Sequence, residues 1–460
     1  MKHQEQAGLT SLEKRATAGL VGVYGVRMLG LFLILPVFAL YAQHLKGVTP
    51  TLIGVAIGIY GLTQAMLQIP LGMLSDRIGR KPVMLGGLAV FAIGSIVAAV
   101  SDSIHGVIIG RALQGSGAIA AATLALLADL TRDSIRARVM ALVGMSIGLA
   151  FAIAMVAGPM LDDLIGVDGI FWLTAVLAGL AAVIVIKVIP TPATTRIRRD
   201  TETVWTDLGQ VLVNPELLRL DLGIFALHLM LTASWVVIPV QLVEHLQFPS
   251  ARHWELYLPV MVLSVVAMFP FVVYAEKYHK MKPVFVGAVA VLVIAEFLMS
   301  WEVVNLWGLA FALWVFFSAF NLLEATLPSL VAKTSPTQLK GTAMGVYSTS
   351  QFMGIFVGGS VGGWVYEHYG IAAVFLFCAA VALIWLLAAA TMAQPRYLSS
   401  YSLEVGEQDP RSASELAADL MSISGVAEAI VIAEEGMAYL KVNLKDLDRE
   451  ALKAYSRHES

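Results

Sequence analysis

The feature that most constrains this chain is a series of apolar stretches, each long enough to cross a lipid bilayer. A helix needs about 20 apolar residues to span the hydrocarbon core. Twelve such stretches lie at about 16–43, 51–72, 82–101, 104–128, 136–161, 169–190, 217–243, 252–275, 283–301, 305–332, 339–364 and 371–393. Because lipid supplies no hydrogen bonds to the backbone, the sequence predicts an all-α polytopic membrane protein.

The composition agrees with a membrane protein and excludes other classes. Hydrophobic residues make up 58% of the chain, charged residues 14%, and the formal net charge is −3. This charge predicts no nucleic-acid partner, which would need a basic surface. Cys378 is the only cysteine, so no disulfide can form within the chain. The first apolar stretch is too long for a signal peptide, and we expect it to remain as a span.

Lysine and arginine are concentrated in alternate loops. The opposite set of loops holds little beyond Lys46 and Arg252. The basic set consists of Lys14, Arg15, Arg77, Arg80, Lys81, Arg132, Arg136, Arg138, Arg196, Arg198, Arg199, Lys277, Lys280, Lys282, Lys333 and Lys340. Since basic loops remain in the cytoplasm, both chain termini are predicted to be cytoplasmic.

A long charged loop divides the spans into two sets of six. The predicted organisation is an N-terminal six-helix bundle at 1–190, a cytoplasmic linker at 191–216, a C-terminal six-helix bundle at 217–395 and a separate domain at 396–460. The loops after the second and eighth spans are similar, with Glu276-Lys277 in the place of Asp76-Arg77. Internal repeats of this kind are typical of secondary transporters, which bind their substrates between the repeats near the bilayer midplane.

The residues after Pro395 have the pattern of a small soluble domain. Ser402 to Val405 alternates like a strand, and Ser412 with Glu415 forms a capping-box pattern at the start of a helix. Two further strands are predicted at 426–433 and 437–443, and a last helix at 446–456. The order βαββα resembles a ferredoxin-like α+β domain of heavy-metal-associated proteins. Since the domain has no cysteine, we expect no metal, while a ligand or protein partner remains open.

The loop after the second span has the pattern G-x-L-x-D-R-x-G-R-K, from Gly72 to Lys81. This pattern resembles the signature loop of the major facilitator superfamily. Arg111 and Gln114 match the R-x-x-Q-G pattern that the family has on its fourth helix. The whole chain is similar to bacterial drug–proton antiporters with twelve helices. The resemblance implies the major facilitator fold, with twelve transmembrane helices in two halves, in the bacterial inner membrane.

A helix-five pattern of the antiporters is present only in part. Gly158 and Pro159 match it, but Ala154 replaces the preceding glycine and Asp162-Asp163 replace the closing glycine pair. The glycines from Gly354 to Gly363 are interpreted as positions of close helix packing.

The signature loop is predicted to act as a conformational latch formed by Gly72, Asp76, Arg77, Gly79, Arg80 and Asp129. Gly72 permits close helix approach and Gly79 a tight turn. Asp76 can accept hydrogen bonds from a helix N-terminus, which the resemblance identifies as that of the eleventh helix. Arg80 can bridge Asp76 to Asp129, so that the cytoplasmic side is locked in the outward-open state. The alternative is a basic loop that only sets topology.

Ionisable residues inside spans are functional candidates, because burying them in lipid is unfavourable. Arg27, Arg111, His228 and Glu324 lie in the first, fourth, seventh and tenth spans, which the resemblance implies line the central cavity. Glu324 is the predicted proton carrier, with His228 or Arg111 nearby. Asn321 lies one turn away, and Gln114 accompanies Arg111. The alternatives are a structural hydrogen bond for Glu324 and a buried core histidine for His228. Glu296 is interpreted as a packing or interfacial residue.

The sequence contains no ATP-binding loop, no nucleophile–base set and no metal-ligand cluster. We therefore predict a transporter that is not an enzyme, has no cofactor and uses a proton gradient. The predicted function is efflux of an amphipathic small molecule in exchange for protons by alternating access, regulated by the C-terminal domain. Two alternatives remain: a proton-coupled metabolite symporter, and a sensor or scaffold without transport.

Overall fold

The structure is a computed structural model that describes residues 9–191, 205–301, 305–336, 339–394, 399–406, 409–433, 436–443 and 446–455. The chain forms two compact units, Met1–Ala393 and Gln394–Ser460. The first unit is helical and the second contains a small sheet.

In the described part of the chain, seven helices form the N-terminal half of the first unit. They are α1 (Ser11–Phe32), α2 (Phe38–Ala42), α3 (Pro50–Ile78), α4 (Arg80–Ala99), α5 (Ile104–Ser116), α6 (Ala120–Asp129) and α7 (Asp133–Lys187). The first predicted span corresponds to α1 with α2, and the fourth to α5 with α6. Predicted spans five and six both lie in α7, which departs from helical geometry at Gly166, where φ is 68° and ψ is 170°.

Seven more α-helices follow in the described residues of the C-terminal half. They are α8 (Trp205–Leu212), α9 (Pro215–Val240), α10 (His253–Lys277), α11 (Met281–Ser300), α12 (Leu306–Thr334), α13 (Lys340–Tyr369) and α14 (Ile371–Ala390). Helix α8 occupies part of the predicted linker. The basic linker residues Arg196, Arg198 and Arg199 lie outside the described residues.

Every predicted span coincides with a helical segment, which confirms the polytopic all-α architecture. Within the described residues, nine stretches are long and apolar enough to cross a membrane, and one of them, Arg138–Lys187, has 50 residues and accommodates two crossings. Helices α1 and α13 are absent from this set. Their apolar character is diluted by charged residues near the start of α1 and by glycine and polar residues along α13.

The two halves meet most closely where α3 packs antiparallel to α13. A Cβ atom added to Gly54 would lie 2.0 Å from the Gly359 carbonyl oxygen, and one added to Gly61 would lie 2.4 Å from that of Phe352. On its other side α13 packs against α9, where a Cβ at Gly358 would lie 2.2 Å from the Leu229 carbonyl oxygen. The glycines of α13 therefore serve close helix packing, as predicted.

The second unit has the predicted βαββα order. Its elements are β1 (Ser399–Glu404), α15 (Pro410–Ser422), β2 (Val426–Ile432), β3 (Met437–Val442) and α16 (Arg449–Lys453). The antiparallel sheet has the order β1-β3-β2, which fits the predicted ferredoxin-like domain. Its core includes Leu403, Leu420, Leu440 and Leu452.

The predicted capping box at Ser412 is wrong. Helix α15 begins at Pro410 with Asp409 as its N-cap, and the Asp409 side chain accepts hydrogen bonds from the backbone amides of Arg411 and Ser412. Ser412 donates its hydroxyl to Asp409 at 2.6 Å. An aspartate followed by a helix-starting proline provides an earlier start signal than Ser412 does.

Glu13, which precedes the first predicted span, ties α1 to the start of α7. Its Oε1 accepts hydrogen bonds from Nε of Arg132 at 2.8 Å and from the Arg132 backbone amide at 3.2 Å. Glu13 is 3% exposed. The Arg132 guanidinium lowers the pKa of Glu13 from 4.5 to about 2.

Replacing Glu13 with glutamine is expected to lower the free energy of unfolding by about 2 kcal/mol at neutral pH. Because the folded pKa is depressed, this stabilisation is complete above the unfolded value and is lost as pH falls from about 4.5 towards 2. Thermal unfolding of the purified protein measures the difference, with the exposed Glu255→Gln as control. Equal melting temperatures for wild type and Glu13→Gln at neutral pH would contradict the prediction.

Candidate functional site

Three side chains from the middle parts of three helices of the C-terminal half meet. Gln351 of α13 contributes its Nε2, which lies 2.8 Å from Nε2 of His228 on α9. The same amide donates a hydrogen bond to Oε1 of Glu324 on α12 at 3.5 Å. Nε2 of His228 lies 3.9 Å from Oε2 of Glu324. The structure thus brings together the predicted pair Glu324 and His228, and joins them through Gln351.

The hydrogen bonds of His228 indicate which nitrogen of its neutral imidazole carries the proton. Nδ1 of His228 lies 3.3 Å from the Ile224 carbonyl oxygen, which can only accept. Nε2 faces the amide of Gln351, which donates. This arrangement places the imidazole proton on Nδ1 and leaves Nε2 as an acceptor.

Glu324 has one enclosed and one accessible side. Its Oε2 is buried and has no hydrogen-bond partner among the residues that the structure describes, yet the side chain as a whole is 35% exposed. A buried carboxylate oxygen without a donor is unfavourable, and binding a proton relieves this cost. The exposed part of the side chain leaves the carboxyl group accessible from the space beside it.

Aromatic rings from both halves line the region beside this cluster. Phe320 of α12 lies 5.9 Å from the His228 ring and stacks on Phe151 of α7 at 6.4 Å, measured between ring centroids. Phe317 lies 6.1 Å from Phe151 and 6.3 Å from Trp235. These rings pack closely on one another and place an apolar surface next to the polar cluster, a combination that suits an amphipathic small molecule.

A second buried polar cluster occupies the N-terminal half. Arg27 donates a hydrogen bond to Gln64 at 2.8 Å and to the Gly117 carbonyl oxygen at 3.1 Å. Arg111 donates to Gln114 at 2.8 Å, and Gln114 donates to Ser95 at 2.7 Å. Both arginines are almost fully buried.

Tyr60 connects the two arginines to the interface between the halves. The guanidinium carbons of Arg27 and Arg111 lie 5.9 Å and 5.3 Å from the centre of the Tyr60 ring, within cation–π range. The same ring lies 6.3 Å from Phe352 of α13. The sequence predicts either His228 or Arg111 near Glu324. The structure places His228 there, whereas Arg111 belongs to the cluster of the N-terminal half.

Two further polar residues of the C-terminal half lie away from the Glu324 cluster. Asn321 donates a hydrogen bond to Ser264 of α10 at 2.9 Å, so it connects α12 to α10. Glu296 is fully buried and accepts a hydrogen bond from Ser234 at 3.3 Å. This burial is consistent with a packing role between α11 and α9.

The signature-loop residues form a compact ion-pair cluster. Arg80 pairs with Asp76, lies 3.5 Å from Asp129 through Nε, and donates a hydrogen bond to Ser75 at 2.8 Å. Arg77 is exposed. Gly79 has φ of 99°, a conformation that favours glycine, and a Cβ at Gly72 would lie 3.0 Å from that of Ala121.

Among the described residues, no hydrogen bond joins helix eleven to Asp76, although the sequence predicts such bonds. Within the part of the chain that the structure describes, Asp76 pairs with Arg80 of its own half. The expectation applied to the outward-open state. Here the halves meet on the opposite side of the bundle, through the contacts of α3 with α13 described above.

The antiporter pattern of helix five lies where α7 passes the end of α1. A Cβ at Gly158 would lie 2.7 Å from the Leu33 carbonyl oxygen and 2.7 Å from Cγ of Pro36. Pro159 follows inside α7. These residues permit close approach of two helices within the N-terminal half.

Several residues of the two clusters were missed in the sequence. Gln64, Tyr60 and Gln351 are neutral, and neutral polar residues in a span carry little signal by themselves. Asp221 is buried in α9, and the rule that singled out Glu324 would have found it. Among the described residues, no group of three or more histidine, cysteine or acidic side chains is placed to hold a metal ion.

Comparisons with known proteins agree with this architecture. The Major Facilitator Superfamily profile matches residues 20–295 and 220–427. The chain is 47% identical over 441 residues to the inner membrane transport protein YajR of Escherichia coli, covering 96% of this chain and 97% of that protein. It is 24% identical over 342 residues to the multidrug resistance protein MdtH of Yersinia enterocolitica, covering 74% and 84% of the two chains.

A solved structure shows the same fold. A bacterial homologue of the human lysosomal transporter Spinster, in an inward-facing and occupied conformation, superposes with a TM-score of 0.70 at 12% identity and covers 83% of this chain and 96% of its own. The profile match, the identity to YajR and the twelve-span architecture lead to one conclusion: this chain belongs to the major facilitator superfamily.

Proposed function

We propose that this chain is a proton-coupled secondary transporter that exports an amphipathic small molecule by alternating access. The observation that carries the proposal is the position of Glu324, which lies beside His228 and Gln351 and next to aromatic rings from both halves. A group that exchanges a proton beside the solute site can couple the two, because each occupant changes the affinity for the other.

The signature-loop cluster supports a conformational role. Arg80 holds Asp76 and Asp129 together at the ends of α3 and α6. In the conformation in which the side of the bundle with Arg80 is closed, Asp76 would accept hydrogen bonds from the first backbone amides of α13. These bonds would join the two halves. Loss of the cluster would shift the resting population between conformations.

Transport in membrane vesicles of both orientations tests the proposal. Inverted and right-side-out vesicles containing the full chain are given a pH gradient and a panel of lipophilic cations and neutral drugs. Export by exchange predicts uptake into inverted vesicles that are acidic inside. Accumulation with an inwardly directed proton gradient in right-side-out vesicles would instead indicate the alternative, a metabolite-type symporter.

The predicted location is the bacterial inner membrane with both termini in the cytoplasm. The name of the Escherichia coli relative supports the inner membrane, and the loop charges support the orientation. The proton gradient is the proposed energy source, with no cofactor.

We further propose that the C-terminal domain regulates transport. Deleting residues 396–460 is expected to change the maximal rate or the apparent affinity by about threefold, while the helical unit still folds. Transport by the truncated and full-length proteins in the same vesicles, normalised to protein amount, measures the effect. Identical rates and affinities would contradict regulation. Absence of transport by both proteins would favour the sensor or scaffold alternative.

A further inference from the structure

The antiparallel helices α3 and α13 carry an acidic residue near the end of each. We call the side of the bundle with Asp76, Arg80 and Asp129 the loop face. The opposite face is the side on which α3 begins and α13 ends. Asp76 lies in the last turn of α3, and Glu367 lies in the last turn of α13. Each acid therefore lies at the level where the partner helix begins.

On the opposite face this pairing is formed. The Thr51 backbone amide at the start of α3 donates a hydrogen bond to Oε2 of Glu367 at 3.0 Å. The bond joins the N-terminal half to the C-terminal half, because α3 and α13 belong to different halves.

The start of α3 has a specific need for this acceptor. Pro50 has no amide hydrogen, and the Leu52 amide is bonded to the side chain of the N-cap Thr49 at 3.2 Å. The Thr51 amide between them is a first-turn donor without an intrahelical partner. Glu367 supplies its acceptor from the other half, and the helix dipole favours a negative charge there.

On the loop face the roles of the two helices are exchanged: the acidic residue is at the end of α3, and the helix N-terminus is that of α13. Nε2 of Gln68 on α3 donates a hydrogen bond to the Thr349 hydroxyl of α13 at 3.3 Å. Because the two helices are antiparallel, Asp76, which lies two turns after Gln68, is level with the first turn of α13. The N-cap of α13 is Leu339, whose apolar side chain cannot accept hydrogen bonds from the helix amides. In this structure Asp76 pairs with Arg80 instead.

A second contact between the halves lies on the opposite face. Nε2 of Gln43 donates a hydrogen bond to Oε1 of Glu244 at 3.3 Å. The glycine contacts of α3 with α13 lie on the same side. The opposite face is therefore held by polar bonds and close packing together.

We propose that Glu367 is a latch residue of the opposite face and the counterpart of Asp76 on the loop face. Each latch uses a carboxylate at the end of one helix to bind the N-terminus of the antiparallel partner. Glu367 stabilises the conformation in which the opposite face is closed, and Asp76 stabilises the conformation in which the loop face is closed. This inference rests on the proposed alternating-access function.

Distance measurements between two spin labels test the proposal. Cysteines replace the exposed His44 and His245, which lie on the opposite face in different halves, while Cys378 is buried and stays unlabelled. Electron–electron resonance of the full chain in lipid nanodiscs then gives the ratio of long to short distances. Glu367→Gln is expected to raise this ratio about threefold, and Asp76→Asn to lower it by a similar factor. The double variant should return towards the wild-type ratio.

Glu255→Gln is the matched control. Glu255 lies on the same face and is exposed, but its partner Arg252 lies three residues away in the same half. The control is expected to leave the ratio of long to short distances unchanged. If the loss of any surface charge were enough, Glu255→Gln and Glu367→Gln would change this ratio equally.

Three results would overturn parts of the account. A Glu367→Gln ratio equal to that of Glu255→Gln, with Asp76→Asn still shifted, overturns the role of Glu367 alone. A shift of both latch variants in the same direction overturns the reciprocal arrangement. One unchanged distance in every variant overturns alternating access, and the inference with it.

Discussion

Replacing Glu324 with glutamine is expected to abolish proton-driven transport while leaving solute binding intact. Glutamine has the same shape and can keep the contact with Gln351, but it cannot bind and release a proton. Loss of a proton-transferring group typically lowers a rate by about 100-fold or more. We therefore expect at least this loss in transport driven by a pH gradient, and transport driven by the solute gradient that no longer depends on pH.

The matched control for this prediction is Glu296→Gln. Glu296 is also a buried glutamate of the C-terminal half, but it contacts Ser234 and lies apart from the Glu324 cluster. We expect this variant to keep the pH dependence of the wild type. If Glu324→Gln transports with the wild-type pH dependence, Glu324 is not the proton carrier. If Glu296→Gln also loses the wild-type pH dependence, the effect is common to buried carboxyl groups of this half and does not identify Glu324 as the proton carrier.

The second large effect is expected for Gly359→Ala. A Cβ atom at this position would lie 2.4 Å from the Gly54 carbonyl oxygen and 3.0 Å from the Gly58 amide nitrogen. These are backbone atoms, so the contact can be relieved only by moving α3 and α13 apart. Overpacking of this kind typically costs about 1–3 kcal/mol, which is about a 5-fold to 150-fold change in an equilibrium constant. We expect the ratio of the conformation with the opposite face closed to the one with it open to fall by such a factor. Transport is expected to slow about 10-fold.

Gly287→Ala of α11 serves as the comparison, since a Cβ there would have no neighbour within 4 Å among the described residues. Transport rates and the distance between labels at positions 44 and 245 measure both variants. A Gly359→Ala protein that transports at the rate of Gly287→Ala would show that close approach of α3 and α13 is not required.

The chain topology could be predicted from the sequence because the bilayer imposes a simple length rule. Each predicted span coincides with helical structure, and Gly79 adopts the backbone conformation that its place in the loop suggested. The boundaries were less accurate where a span contains a break, as at Gly117 between α5 and α6 or at Gly166 within α7. Local sequence does not report how a chain bends within the membrane.

The candidate site could be predicted only for its ionisable members. Glu324 and His228 stand out because charge is costly in lipid, and the structure places them side by side. Asn321 faces Ser264 instead, since the face that a residue presents depends on helix rotation within the bundle. Gln351 was missed for the same reason: its role exists only once α9, α12 and α13 are packed together.

Coupled exchange at Glu324 is tested most directly by proton displacement from the purified protein. Wild type and Glu324→Gln in weakly buffered detergent receive the panel of lipophilic cations and neutral drugs, and a pH-sensitive dye records proton release or uptake. The account predicts proton release by the wild type on adding a transported solute and none by Glu324→Gln, although both bind it. Solute binding without proton release by the wild type, or equal release by both proteins, would contradict it.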